Sequence, residues 1–205
     1  MAKITATPGF EQRIAISEKF EDVVEEGLKA SGFSVVPSGT EHTYPDFIEE
    51  LRLSTDPNSL FLRFEPDFAI HTAKEYDEPP ISCCVEAKAG KKLTIEKTAY
   101  EQYMKRVSLG QLIAVVFECE NNEILWNFVE DIVLIPGEKT VSVFLPERRF
   151  AVIDGWICPR ETPYGREVLR KNPRMSGTPL RYVNSQSLLP WADFKQRFFE
   201  KQSLS

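Results

Sequence analysis

The chain has 205 residues, 42% of them hydrophobic and 11% aromatic, enough for one α/β domain with a C-terminal elaboration and too few for two full domains. Its longest apolar runs, such as Leu112 to Phe117, are far too short to span a membrane, and its first residues lack the apolar stretch of a secretory signal, so a soluble cytoplasmic protein is expected. The net charge of −6 is unevenly spread: residues 1–147 hold 14 Lys/Arg against 26 Asp/Glu, and residues 148–205 hold 11 against 5. An anionic partner would therefore meet the C-terminal part, through Arg148, Arg149, Arg160, Arg166, Arg170, Lys171, Arg174 and Arg181. The alternative is a solvated tail whose basic residues pair with the acidic part of the protein.

The spacing of Phe20, Val23, Val24 and Leu28 predicts a helix over 17–30, capped by Ser17 and stopped at Gly32. A short strand follows at Phe33 to Val36, then a polar loop to Thr43. Phe47 to Leu51 reads as a helical turn, and Asp56-Pro57-Asn58 as a turn. Leu60, Leu62 and Phe64 alternate with polar neighbours and predict a strand that Phe68-Ala69-Ile70 continues beyond a break at Pro66. Ile81 to Lys88 reads as a central strand, and Leu93 to Val107 as a second main helix capped by Thr94, with Ile95, Ala99, Tyr103 and Val107 on one side. Leu112 to Phe117 predicts a buried strand, joined by a hairpin at Glu120-Asn121-Asn122 to a strand at 124–129. A further hairpin around Pro136-Gly137 would pair 132–135 with 141–145. Residues 159–180 read as an extended arm or ordered loop, and 190–201 as a terminal helix with Phe194 and Phe198 facing inward.

The four cysteines, Cys83, Cys84, Cys119 and Cys158, form no CxxC pair, so free buried thiols are expected ahead of a disulfide framework or zinc site. His42 and His71 read as surface histidines. The chemistry concentrates elsewhere. Pro66-Asp67 is followed by Glu86-Ala87-Lys88, with Glu86 placed 19 positions after Asp67. On a strand, Glu86 and Lys88 project to the same side, and a turn back from Asp67 would bring a second carboxylate beside them. Two carboxylates and a lysine at one point suit a hard divalent cation and are costly to bury without one or other partners. The bland alternatives are a surface ion pair between Glu86 and Lys88 and a turn residue at Asp67.

Three stretches carry a resemblance to a known family: residues 21–36, with an acidic helix followed by Gly32-Phe33 and a valine-rich strand; Pro66-Asp67 with Glu86-Ala87-Lys88; and the following helix with Gln102-Tyr103 and a Val/Ile strand. Over about residues 17–118 the chain resembles the PD-(D/E)xK nuclease superfamily, and its opening resembles archaeal Holliday-junction resolvases. The scattered cysteines argue against the iron–sulfur branch. The resemblance implies a restriction-endonuclease-like α/β fold, a mixed sheet flanked by helices. Residues 1–147 would form the nuclease core, and 148–205 a β-rich, basic extension packed on it within a single domain. It implies a metal-dependent deoxyribonuclease, endonuclease ahead of exonuclease, using Mg²⁺ or Mn²⁺. Asp67, Glu86 and the Ala87 carbonyl would hold the metal, Lys88 would assist the attacking water, and Glu21 would join from the first helix. Glu25 competes with Glu21, and Pro45-Asp46 competes with Pro66-Asp67. Lys91, Lys92, Lys97, Gln102, Arg148 and Arg149 would contact nucleic acid, DNA ahead of RNA, and a homodimer would suit relatives that cut two strands. The other reading is a catalytically inactive module on the same fold that binds nucleic acid or protein.

Overall fold

The computed structural model describes residues 8–72, 82–90, 93–119, 121–137, 150–159 and 179–203. A long helix α1 (Pro8–Ala30) leads into strand β1 (Phe33–Pro37), and Gly32 makes the stop at φ +90°, a conformation that only glycine adopts without strain. Three short helices follow: α2 (Thr40–Thr43), α3 (Ile48–Leu53) and α4 (Pro57–Arg63). Strands β2 (Phe68–Thr72) and β3 (Ser82–Lys88) then pair antiparallel, with Phe68 opposite Val85. Strand β4 (Thr94–Glu96) and helix α5 (Lys97–Ser108) cross over to β5 (Ile113–Glu118), which lies parallel to β3. The chain continues through β6 (Ile124–Phe128), β7 (Leu134–Ile135), β8 (Phe150–Ile153), β9 (Trp156–Pro159), β10 (Leu180–Val183) and β11 (Leu189–Pro190) to helix α6 (Phe194–Gln202).

The main sheet is mixed and six-stranded, ordered β1-β2-β3-β5-β6-β11, and helices flank it. Its inner strands are apolar because both faces are covered: Ile113 to Phe117 are all buried. One face packs Cys83, Val85 and Ala87 of β3 against Phe20, Val24 and Leu28 of α1 and Phe194 and Phe198 of α6. The other packs Ile113, Val115 and Phe117 of β5 against Ile95, Ala99 and Tyr103 beneath α5. A second sheet, β4-β10-β9-β8, grows from the crossover, with β7 also paired to β10. The last strand and helix belong to the main sheet's own core: β11 pairs with β6, and the Trp126 indole N–H donates to the Pro190 carbonyl at 3.0 Å. No helix among the described residues is long and apolar enough to cross a membrane.

Several expected elements take a different form. Helix α1 starts at Pro8, so Ser17 is internal, and its hydroxyl donates to Glu21 at 3.0 Å instead of capping. Leu60 and Leu62 lie on a helix. Asp56 caps it by accepting from the N–H groups of Asn58 and Ser59 at 3.0 and 3.1 Å, and Pro57 occupies its first turn. That cap and proline outweigh the alternating pattern that suggested a strand. Thr94 lies in β4, opposite Tyr182, and helix α5 begins only at Lys97. Residues 40–43, expected as loop, form a helical turn. The expected strand at 141–145 and most of the 159–180 arm lie outside the described residues.

Candidate active site

The site forms where β2 and β3 start to share their pairing. Extending the Phe68–Val85 register by one position sets Asp67 opposite Glu86. Hydrogen bonds from the loop after β1 hold the approach to Asp67: Ser38 Oγ donates to the Pro66 carbonyl at 2.8 Å, and the N–H groups of Ser38 and Gly39 donate to the Asp67 carbonyl at 2.8 and 3.2 Å. The Asp67 side chain reaches across to β3, where its Oδ2 accepts from the Ala87 N–H at 2.7 Å. This carboxylate is fixed at its backbone and at its tip.

Glu86 and Lys88, on the same side of β3, are in direct contact as an ion pair. Glu86 is 5% exposed, whereas the Lys88 side chain keeps 30% of its surface. The pair is therefore no solvated surface pair: its acid is buried and its lysine side chain only partly exposed. Gly90, at φ +119°, turns the chain away just beyond, and its N–H donates to Glu118 Oε2 on β5 at 3.1 Å.

The electrostatics show how closely these groups face one another. Desolvation pushes the Asp67 carboxyl well above the usual carboxylate range, and the Glu86 charge pushes it further. Lys88, the Ala87 N–H and, with opposite sign, Glu21 act less strongly. For Lys88, burial disfavours the charged form, but the carboxylates of Glu86, Asp67 and Glu96 outweigh it and hold the ammonium above the ordinary lysine range. Glu21 is also shifted upward, by burial first, against the Ser17 hydrogen bond, with Glu41 and Glu86 adding to the rise. Asp67, Glu86 and Lys88 thus act directly on one another, while Glu21 is only a weaker influence on Asp67.

The rivals lie elsewhere in the structure. Glu25 pairs with Lys29 one turn along its own helix, at 2.6 Å. Pro45-Asp46 begins an exposed turn between α2 and α3. Of the expected nucleic-acid contacts, Lys97 stands half-exposed at the start of α5 with Glu101 3.6 Å away. The Gln102 side-chain oxygen is buried, with no hydrogen-bond partner among the described residues. Lys91, Lys92, Arg148 and Arg149 lie outside the described residues, as do Arg160, Arg166, Arg170, Lys171 and Arg174. Arg181, expected on the basic surface, spends its guanidinium on the fold: it stacks 4.7 Å from the Trp156 ring centre and donates to the Asp154 carbonyl. Arg106 is 4% exposed, stacks on Phe61 at 3.9 Å and donates to the Phe61 carbonyl at 2.8 Å, so it is no phosphate contact. The cysteines are free, with Cys83 buried.

Two site residues escaped the sequence reading of this region. Glu96 places a further negative charge near Lys88. Tyr103, read as one member of an apolar helix stripe, is 1% exposed, and the charges of Glu86 and Asp67 act on its hydroxyl. Nothing in its spacing distinguishes a tyrosine that only packs from one near charged groups.

Asp67 and Glu86 offer only oxygen donors, and their mutual repulsion is what a cation between them would relieve. Among the described residues, no group of three or more His, Cys, Asp or Glu side chains is arranged to hold a metal ion. Two carboxylates suit a cation that completes its shell with backbone oxygen and water, the habit of Mg²⁺.

No protein-family model and no curated protein matches the chain. Solved structures similar to it include these two. One is Hjc of Archaeoglobus fulgidus, a Holliday junction resolvase from an archaeal hyperthermophile, at 14% identity over 56% of this chain and 77% of the other, with a TM-score of 0.38. The other is D212, a nuclease from a fusselovirus, at 10% identity over 100% of both chains, with a TM-score of 0.42. At these scores neither likeness carries a functional conclusion.

Proposed function

We propose that the protein is a metal-dependent nuclease that hydrolyses phosphodiester bonds in DNA by a PD-(D/E)xK mechanism. The observation that carries this reading is the convergence of Asp67, Glu86 and Lys88, with Asp67 locked to the Ala87 N–H at 2.7 Å and Lys88 in contact with Glu86. A buried acid beside a half-buried one, with one partly exposed lysine, is expensive as architecture and useful as chemistry.

Asp67, Glu86 and the Ala87 carbonyl would hold Mg²⁺ or Mn²⁺, and Glu21 would face the same space from α1. A bound divalent cation would supply an activated water and offset charge on the phosphate oxygens. Lys88 is held protonated by three surrounding carboxylates. It therefore acts as a cation and hydrogen-bond donor toward a phosphate oxygen, and orients the attacking water, more readily than it accepts a proton. The Asp67 hydrogen bond to Ala87 keeps the two acids in register while substrate binds.

One cleavage panel tests this. Single-stranded, duplex, flapped and four-way DNA are compared with RNA in Mg²⁺ or Mn²⁺, with Lys88→Ala alongside. Cutting that needs the metal and disappears in Lys88→Ala is the expected result; equal cutting by the variant overturns the assignment. No cutting of any substrate, with no Mn²⁺ uptake at millimolar concentration, would leave a nuclease-fold module that binds without chemistry.

A further inference from the structure

Helix α4 ends without a glycine, and only Phe64-Glu65-Pro66 separates it from Asp67. A helix leaves its last four carbonyls without intrahelical partners. In α4, Leu60 and Leu62 accept from the N–H groups of Phe64 and Glu65, each at 3.1 Å. The other two are met by side chains from distant elements. Arg106 Nη2, on α5, donates to the Phe61 carbonyl at 2.8 Å. Thr40 Oγ1, on α2, lies 2.9 Å from the Arg63 carbonyl and 3.1 Å from that of Leu62, and shares its proton between them. Arg106 is 4% exposed. Its guanidinium meets the Phe61 carbonyl, the Phe61 ring at 3.9 Å and Gln111 Oε1 at 3.4 Å, and its Nε has no hydrogen-bond partner among the described residues. A cation taken this far out of water is costly, and this one is held chiefly by the backbone and ring of α4. Methionine would fill the space without that cost. What the guanidinium adds is a cap, at the helix end where positive charge also suits the dipole.

We infer that Arg106 and Thr40 are positioning residues: by capping α4 they fix where the helix stops, and so where the Asp67 carboxylate meets β3. Ser38 and Gly39 carry the same hold onward to the carbonyls of Pro66 and Asp67. The role in catalysis rests on the proposed nuclease reading, whereas the placement of Asp67 belongs to the metal-free fold. The crossover helix thereby acts on the site through the backbone that delivers one of its acids.

The test uses the full chain with Arg106→Met, which keeps an apolar stem but no donor, and Thr40→Val, which keeps the shape but no hydroxyl. Thr40→Ser restores the hydroxyl. The first readout needs no metal: hydrogen exchange at the Ala87 amide, which donates to Asp67 Oδ2 at 2.7 Å. In Arg106→Met and Thr40→Val it should exchange at least ~tenfold faster, measured against the Val115 and Val116 amides of β5, and Thr40→Ser should match wild type. Calorimetric titration should show Mn²⁺ bound roughly tenfold more weakly by the first two variants, the scale for losing support behind a ligand. Cleavage should lose kcat while KM for DNA holds. Phe194→Ala, destabilised elsewhere in the core, should keep both the relative Ala87 exchange and the Mn²⁺ affinity of wild type. Unchanged Ala87 exchange in Arg106→Met and Thr40→Val overturns the inference, as does a Thr40→Ser protein no better than Thr40→Val. Faster exchange with wild-type Mn²⁺ affinity overturns the role at the site and leaves two structural caps. Should Arg106→Met fail to fold, the Thr40 pair decides. If wild type neither binds Mn²⁺ nor cuts DNA, the nuclease reading falls, and Ala87 exchange alone decides whether the cap places Asp67.

Discussion

The two faces of β3 make opposite use of one strand. Cys83, Val85 and Ala87 point into a core of aromatic and aliphatic side chains from α1 and α6. Their neighbours, Glu86 and Lys88, face the other way and carry a buried acid and a partly exposed cation. The apolar face stabilises through burial, at about 1.5–3 kcal/mol for each large side chain taken fully out of water. The charged face gathers carboxylates, and the Glu86 charge raises the proton affinity of Asp67, an arrangement the fold must hold against repulsion. A strand that alternates every residue can serve both ends because neither set of side chains crosses to the other side.

That division is broken most sharply by one substitution on each face. Phe194→Ala empties space beside Trp126, whose ring centre lies 4.5 Å from that of Phe194, and should cost about 3–5 kcal/mol in urea unfolding. Cleavage per folded molecule should stay near wild type. Glu86→Gln keeps the side chain's shape, relieves Asp67 of a like charge and takes a partner from Lys88, so its stability should fall within about 2 kcal/mol of wild type. Its cleavage should drop by at least ~100-fold, the scale for removing one preorganised electrostatic group from an active site. A Glu86→Gln enzyme that still cuts, or a Phe194→Ala enzyme that folds normally and does not, would erase the distinction between the faces.

Protons sharpen the same comparison. The Asp67 carboxyl is raised in the folded state above its ordinary 3.8, so the native protein binds more protons than the unfolded chain in the window above that value. The metal-free protein should therefore lose stability as pH rises through the window, the reverse of what a salt-bridged aspartate does. Glu21 contributes with the same sign, from its ordinary 4.5 upward. Lys88 is raised too, so its stabilising part persists through neutral pH and is lost only on the alkaline side of 10.5. Asp67→Asn can still accept from the Ala87 N–H, but it does not titrate. Urea midpoints between about pH 4 and pH 8, taken without divalent cations, should fall less steeply for Asp67→Asn than for wild type. Parallel curves would mean that Asp67 is less perturbed than its surroundings imply.

Local signals carried the apolar face well. Phe20, Val24 and Leu28 of the first helix's stripe, though not the exposed Val23, the Leu112 to Phe117 run, Gly32 at the helix stop and the inward Phe194 and Phe198 are all periodicity or turn chemistry within a few residues. The charged face was legible as far as its residues share a strand: Glu86 and Lys88 follow from spacing alone. Asp67 needed the register of β2 on β3, and its advantage over Asp46 rests on hydrogen bonds from the loop after β1. Tyr103 and Glu96 enter from the crossover that connects the parallel pair β3 and β5, which no local pattern describes. β4 was hidden for a similar reason, since its partner β10 lies far along the chain and Thr94 has the composition of a cap.

The smallest expected effect lies at Lys97. It opens α5, whose first turn holds no acid, and a cation at a helix N-terminus opposes the helix dipole. Its companion Glu101 is 3.6 Å away and more than half exposed, a pair worth at most about 0.5 kcal/mol. Lys97→Ala should thus leave stability almost unchanged, since alanine is the better helix former and the lost pair is weak. A lysine kept where the helix gains nothing from it is better explained by an anion arriving from outside. With Glu86→Gln in the background to prevent cutting, Lys97→Ala should weaken duplex binding and lower the slope of log affinity against log salt by about one phosphate contact. An unchanged slope would return Lys97 to the solvated surface and confine the DNA path to the basic C-terminal residues.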